Sequence, residues 1–131
     1  MWIALVLFIF LHGMVHLLYA GHSLRLFELR PGLSWPDSSW AFSRLLGVKT
    51  TRLLAFIALI LVTLGFLAGG LGFLLQQDWR SAVTAGSAIF SSVIFILFWD
   101  GKLHVLSEQG GVGLLINLAV LAVVQVLIKP A

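Results

Sequence analysis

Four apolar runs divide the chain: Trp2 to Ala20, Leu53 to Leu75, Ala82 to Trp99 and Val112 to Ile128. None holds an Asp, Glu, Lys or Arg. Each is close to the roughly 20 residues a helix needs to cross a ~30 Å hydrocarbon core. A bilayer interior has no water to satisfy backbone groups, so segments of this length span it only as helices. The pattern predicts an all-α fold: an integral membrane four-helix transmembrane bundle, as one domain over residues 1–131. The first run has no basic residue before it and is longer than a usual signal-peptide core, so a retained helix is expected.

The connections differ in kind. Gln76-Gln77-Asp78-Trp79-Arg80 is a tight polar turn that makes helices 2 and 3 antiparallel neighbours. Asp100 to Gly111 joins helices 3 and 4, and Gly21 to Arg52 forms a long first loop. Within that loop, Ser34-Trp35-Pro36-Asp37 has the chemistry of a helix start: a hydroxyl cap, Pro in the first turn and an acid after it. A short interfacial helix from Pro36 to about Gly47 is expected. It would place Trp35, Trp40, Phe42, Leu45 and Leu46 at headgroup level, as an anchor or as a lid over a polar pocket. The pairs Gly65/Gly69, Ala68/Gly72 and Ala82/Gly86 have the small-xxx-small spacing that lets helices approach closely, inside the bundle or across a homodimer.

Composition sharpens this picture. The chain is 60% hydrophobic and 10% charged, against about 25% charged in soluble domains. A soluble fold of this size would leave too much of that apolar surface wet. The absence of cysteine removes disulfides, thiolate metal sites and cysteine redox relays. A net charge of +3 comes mostly from one loop, which is a topology signal and not a nucleic-acid signature. Loops 1 and 3 hold Arg25, Arg30, Arg44, Lys49, Arg52 and Lys102, whereas the opposite side has only Arg80 and Lys129. The positive-inside bias therefore places loops 1 and 3 in the cytoplasm of a plasma membrane, with both termini outside.

The candidate chemistry is concentrated in Leu11-His12-Gly13-Met14-Val15-His16. An ionisable side chain at mid-membrane depth is a functional-site hypothesis in itself. At i and i+4, His12 and His16 share one face about 6 Å apart along the axis, with Tyr19 continuing it. Two such imidazoles can share a divalent metal, and either can be an axial haem ligand. No H-E-x-x-H pattern accompanies them, so zinc hydrolysis by that route is not indicated. Asn117, Ser91, Ser92 and Thr63 add polar groups in the same half of the bundle. A pocket lined by His12, His16, Asn117 and Ser92, with Asp100 and His104 at its rim, is the resulting site. Plain interhelical hydrogen bonding, a proton relay, and a solvated loop position for Asp100 and His104 are the competing readings. No membrane-embedded carboxylate is present, which disfavours a proton-coupled multidrug exchanger.

The layout resembles the small four-helix bacterial membrane proteins called DoxX-like, through the His12-Gly13 pair in helix 1 and the tight turn between helices 2 and 3. His16 stands in the region where those proteins commonly carry a lysine. The resemblance implies a membrane subunit associated with quinone or sulfur redox systems, and supplies no catalytic residue. The expected function is a binding or accessory subunit whose His-lined pocket takes a metal, haem or quinone-like ligand. The alternatives are a structural subunit docking larger membrane partners, and a small-solute transporter. The chain shows no internal repeat of the kind that builds transport pathways.

Overall fold

The computed structural model describes residues 2–103 and 106–128; His104 and Lys129 lie outside the described residues. Four helices follow one another: α1 (Trp2–Ser23), α2 (Ser43–Leu74), α3 (Arg80–Phe98) and α4 (Val112–Ile128). All four helical segments are long and apolar enough to cross a membrane.

Helix ends follow local chemistry more closely than hydropathy. α1 runs three residues past its apolar run and closes where Arg25 adopts a left-handed conformation (φ 58°). There Leu26 N–H donates to Gly21 O and Arg25 N–H to His22 O, which uses two of the carbonyls that a helix end leaves unpaired. α2 begins ten residues before its expected start at Leu53. Gly47 (φ 79°, ψ 168°) separates a first turn at Ser43–Leu46 from the main helix. The polar stretch Lys49 to Arg52 is helical all the same, and Thr51 Oγ1 donates back to Gly47 O at 2.7 Å. α4 has the expected limits, preceded by a widened turn at Ser107–Gly111.

Of the expected interfacial helix over Pro36–Gly47 only the last turn, Ser43–Leu46, is helical; residues 35–38 and 40–42 are turns and Ser39 has no regular structure. The reason lies in where their polar atoms go. Trp40 N–H and Nε1–H donate to Trp99 O (3.0 Å) and Ile96 O (2.6 Å), and Ser39 Oγ–H donates to Leu97 O (2.7 Å). Loop 1 thus caps the C-terminal carbonyls of α3, which have no partner within the helix. Trp35 lies in the core, 1% exposed, against Tyr19, Phe95 and Phe98. Asp37 does not act as a first-turn acid. It receives Arg52 side-on (2.7 and 2.6 Å) and Arg25 at 3.1 Å, tying the loop to α2 and to the end of α1. Burial alone would push the Asp37 carboxyl up. The Arg52 hydrogen bonds and the two guanidinium charges outweigh it and hold the group below the usual carboxylate range.

The helices pack in sequence, α1 on α2, α2 on α3 and α3 on α4. Small residues set the approach. A Cβ on Gly13 would fall 2.8 Å from Phe66 Cβ, and Cβ atoms on Gly65 and Gly69 would strike Ser87 and Thr84 of α3. Gly65 and Gly69 therefore serve the α2–α3 contact within the chain, whereas Gly86 faces open space. The fourth side of the bundle differs. Among the described residues no Cα of α1 comes within 8 Å of a Cα of α4. Helices in ordinary contact lie 8–10 Å apart axis to axis, which brings some Cα pairs closer than that. The α1–α4 seam is thus crossed by side chains only.

Candidate functional site

The side chains crossing that seam are the candidate histidines and their partners. His12, His16 and Asn117 are 5%, 1% and 0% exposed. His12 Nε2 lies 2.7 Å from Asn117 Oδ1, and Asn117 Nδ2 lies 3.0 Å from Ser91 Oγ and 3.1 Å from Ser92 Oγ. Ser91 Oγ lies 2.7 Å from His16 Nε2, and His16 Nδ1 lies 2.8 Å from His12 O. The result is a closed circuit from α1 to α4 to α3 and back to α1.

The direction of every bond follows from the two backbone carbonyls at its ends, which can only accept. His16 Nδ1 must carry a proton to donate to His12 O. No carboxylate touches the circuit, so the rings are read as neutral, and His16 Nε2 is then an acceptor that takes the Ser91 hydroxyl proton. Ser92 Oγ–H is committed to Ala88 O at 2.8 Å. Both serine oxygens now need a donor, so the Asn117 amide nitrogen faces them and its oxygen faces His12. His12 must therefore be protonated on Nε2, the opposite tautomer to His16, which leaves His12 Nδ1 as an acceptor. Among the described residues no hydrogen bond reaches that atom.

Aromatic rings enclose the pair. Phe8 lies parallel to His12 at 6.2 Å, and Phe66 stands edge-on to His12 at 4.8 Å and tilted against His16 at 5.4 Å. Two cavities lie along the open seam. One of about 120 Å³ is lined by His12, His16, Tyr19, Phe95, Gly113 and Ile116, among others. The second, about 190 Å³, is almost wholly apolar between Leu5, Phe8 and Ile9 of α1 and Ala119, Val120 and Val123 of α4.

Of the residues singled out in the sequence, the fold brings His12, His16, Asn117 and Ser92 together. Asp100 does not line the cavity beside the histidines. Its carboxylate accepts from Lys102 N–H (2.8 Å) and from Gln109 Nε2–H (3.2 Å), and it borders a polar cleft of about 530 Å³ with Asp37, Ser39, Ser43 and Arg44. Thr63 donates to Leu59 O and Gly13 O and stays outside the circuit. Ser91, passed over in favour of its neighbour, is the serine that reaches His16. A Ser-Ser pair announces that one hydroxyl faces inward, but the helix rotation decides which.

Three of the four ring nitrogens in the pair are thus committed, so chelation of a metal by both histidines would break at least one of these bonds. Among the described residues there is no group of three or more His, Cys, Asp or Glu able to hold an ion. Comparisons with family models, curated proteins and solved structures gave no match to the chain.

Proposed function

We propose that this chain is a multi-pass plasma-membrane protein that binds the polar ring of a small quinone-like amphiphile beside His12, as an accessory subunit of a redox assembly. The observation that carries the reading is the one ring nitrogen of the His12/His16 pair left without a hydrogen bond among the described residues, Nδ1 of His12, on a 5%-exposed side chain that borders a cavity of about 120 Å³. That volume is near the 150 Å³ of an apolar cavity known to hold benzene. It is well below the roughly 300–1,000 Å³ of drug-sized and cofactor sites, which weighs against haem.

Insertion in a membrane is supported by the outer surface. At most 39% of any of the four apolar windows is buried, and Ile3, Leu11, Leu61, Leu115, Leu118 and Val126 are all more than half exposed. A patch of that extent needs a non-aqueous surrounding. Loops 1 and 3 would face the cytoplasm by their charge. Because the chain has no cysteine, a Ser38→Cys variant offers one reactive thiol for testing sidedness. Labelling by an impermeant maleimide only after the cytoplasmic face is exposed supports the orientation, and labelling of intact cells reverses it.

The site itself is tested by mass spectrometry of lipids retained on gently purified protein. A ring-bearing amphiphile near one per chain, lost in the cavity-filling Ile116→Trp, is the expected result. The same bulk phospholipids on both proteins would overturn it. A second reading, a purely structural subunit, is favoured by one observation: the ring of bonds from α1 through α4 and α3 closes without any ligand. It predicts that Ile116→Trp changes nothing bound.

A further inference from the structure

The ligand class can be narrowed, on the reading just given, by the direction of the hydrogen bonds and the shape of the seam. Ser91, Ser92 and Asn117 together force His12 to hold its proton on Nε2, so His12 Nδ1 offers a lone pair and no hydrogen. A head that presents only carbonyl or ether oxygens finds no donor at that nitrogen. A hydroxyl-bearing head gains a bond to a ring nitrogen that no hydrogen bond among the described residues reaches.

The seam adds the second constraint. Leu5, Phe8, Ile9, His12, His16 and Tyr19 form one continuous stripe on α1. Val112, Gly113, Ile116, Ala119, Val120 and Val123 form the facing stripe on α4. The mostly apolar cavity beside the histidines and the almost wholly apolar one therefore follow each other along a single gap, with Phe8 and His12 at their junction. A helix is about 10–12 Å across with its side chains, too broad for cavities of 190 and 120 Å³. A single flexible chain attached to a small ring matches both. We infer that the occupant is a hydroxyl-headed amphiphile, a phenol or hydroquinone bearing an alkyl or isoprenoid chain. Its hydroxyl donates to His12 Nδ1, its ring lies by Phe95 and Ile116, and its chain runs along Ala119 and Val123 toward Leu5. It reaches the site sideways, through the gap between α1 and α4.

The test uses the full chain in phosphatidylcholine nanodiscs under reducing, anaerobic conditions, with empty nanodiscs as the partition blank. Four probes are titrated: decylhydroquinone, decylquinone, the decylhydroquinone dimethyl ether, and tailless methylhydroquinone. Decylhydroquinone should bind on the order of tenfold more tightly than the quinone or the ether, the value of about one hydrogen bond. It should also bind more tightly than the tailless probe. Ala119→Phe, which fills the apolar cavity, should erase the advantage of the chain and keep the preference for hydroxyl. Equal binding of hydroquinone, quinone and ether overturns the hydroxyl-headed assignment while leaving the binding site in place. A chain advantage that survives Ala119→Phe overturns the path along the seam. No binding of any probe above the blank overturns the binding reading itself.

Discussion

Asn117 is the hinge of the circuit, and replacing it gives the most exacting test of the packing. Its side chain makes three hydrogen bonds, of 2.7, 3.0 and 3.1 Å, to three residues on two other helices. Asn117→Leu keeps a similar volume and removes all three. Interhelical hydrogen bonds within membranes average about 0.6 kcal/mol and reach about 1.7. Three of them, with the His12 Nε2–H left buried and unpaired, put the expected loss at about 2–3 kcal/mol. His12→Phe keeps a ring against Phe66 and Phe8, breaks one bond and strands Asn117 Oδ1, for a loss of about 1–2 kcal/mol. The two changes should not add. Once His12 is gone, Asn117→Leu has one bond fewer to break and no stranded imidazole, so the double variant should be about 1 kcal/mol more stable than the sum of the singles. Reversible unfolding in mixed micelles or by steric trapping in bilayers, on the four members of the cycle, reads this directly. Additivity within about 0.3 kcal/mol would refute a stabilising bond between His12 and Asn117.

The other expectations concern the frame around the site. The Asp37 clamp has a pH signature: with its carboxyl held below the ordinary range, its contribution is complete above about pH 4 and is lost as pH falls through the lowered value. Melting curves of the wild type from neutral to pH 3 should show this loss, and Asp37→Asn should be less stable at neutral pH and flatter below it. Gly69→Leu should cost at least about 1–3 kcal/mol by forcing α2 from Thr84 of α3. Gly86→Leu, with nothing within 4 Å, should stay within about 0.5 kcal/mol of wild type. Equal losses in both would mean that the α2–α3 contact is not as close as described.

The hydrophobic pattern carried the helices because an uncharged run of about 20 residues has few other solutions. It also carried the meeting of His12, His16, Asn117 and Ser92, since rare polar groups in apolar helices have only one another as partners. It failed in loop 1 for a physical reason. The Ser34–Asp37 stretch has helix-start chemistry, but its polar atoms find stronger use elsewhere: Asp37 on two arginines, Ser39 and Trp40 on the open end of α3. None of those partners is adjacent in sequence. The same applies to Trp35, whose enclosure by Tyr19, Phe95 and Phe98 rests on residues distant in sequence. The choice of Ser91 over Ser92 as the partner of His16, and the place of Asp100 in a different cavity from the histidines, turn on helix rotation and loop path. The open α1–α4 seam had no sequence signal, because both stripes read as ordinary apolar helix faces.

The direction of every bond in the circuit requires the two histidines to be opposite tautomers. Solid-state ¹⁵N spectra of histidine-labelled protein in bilayers, assigned with His12→Phe and His16→Phe, separate a protonated from an unprotonated nitrogen in each ring. The expected result is a proton on Nε2 of His12 and on Nδ1 of His16, both rings neutral at pH 7. Finding the same tautomer at both positions, or a cationic ring at either, would contradict it.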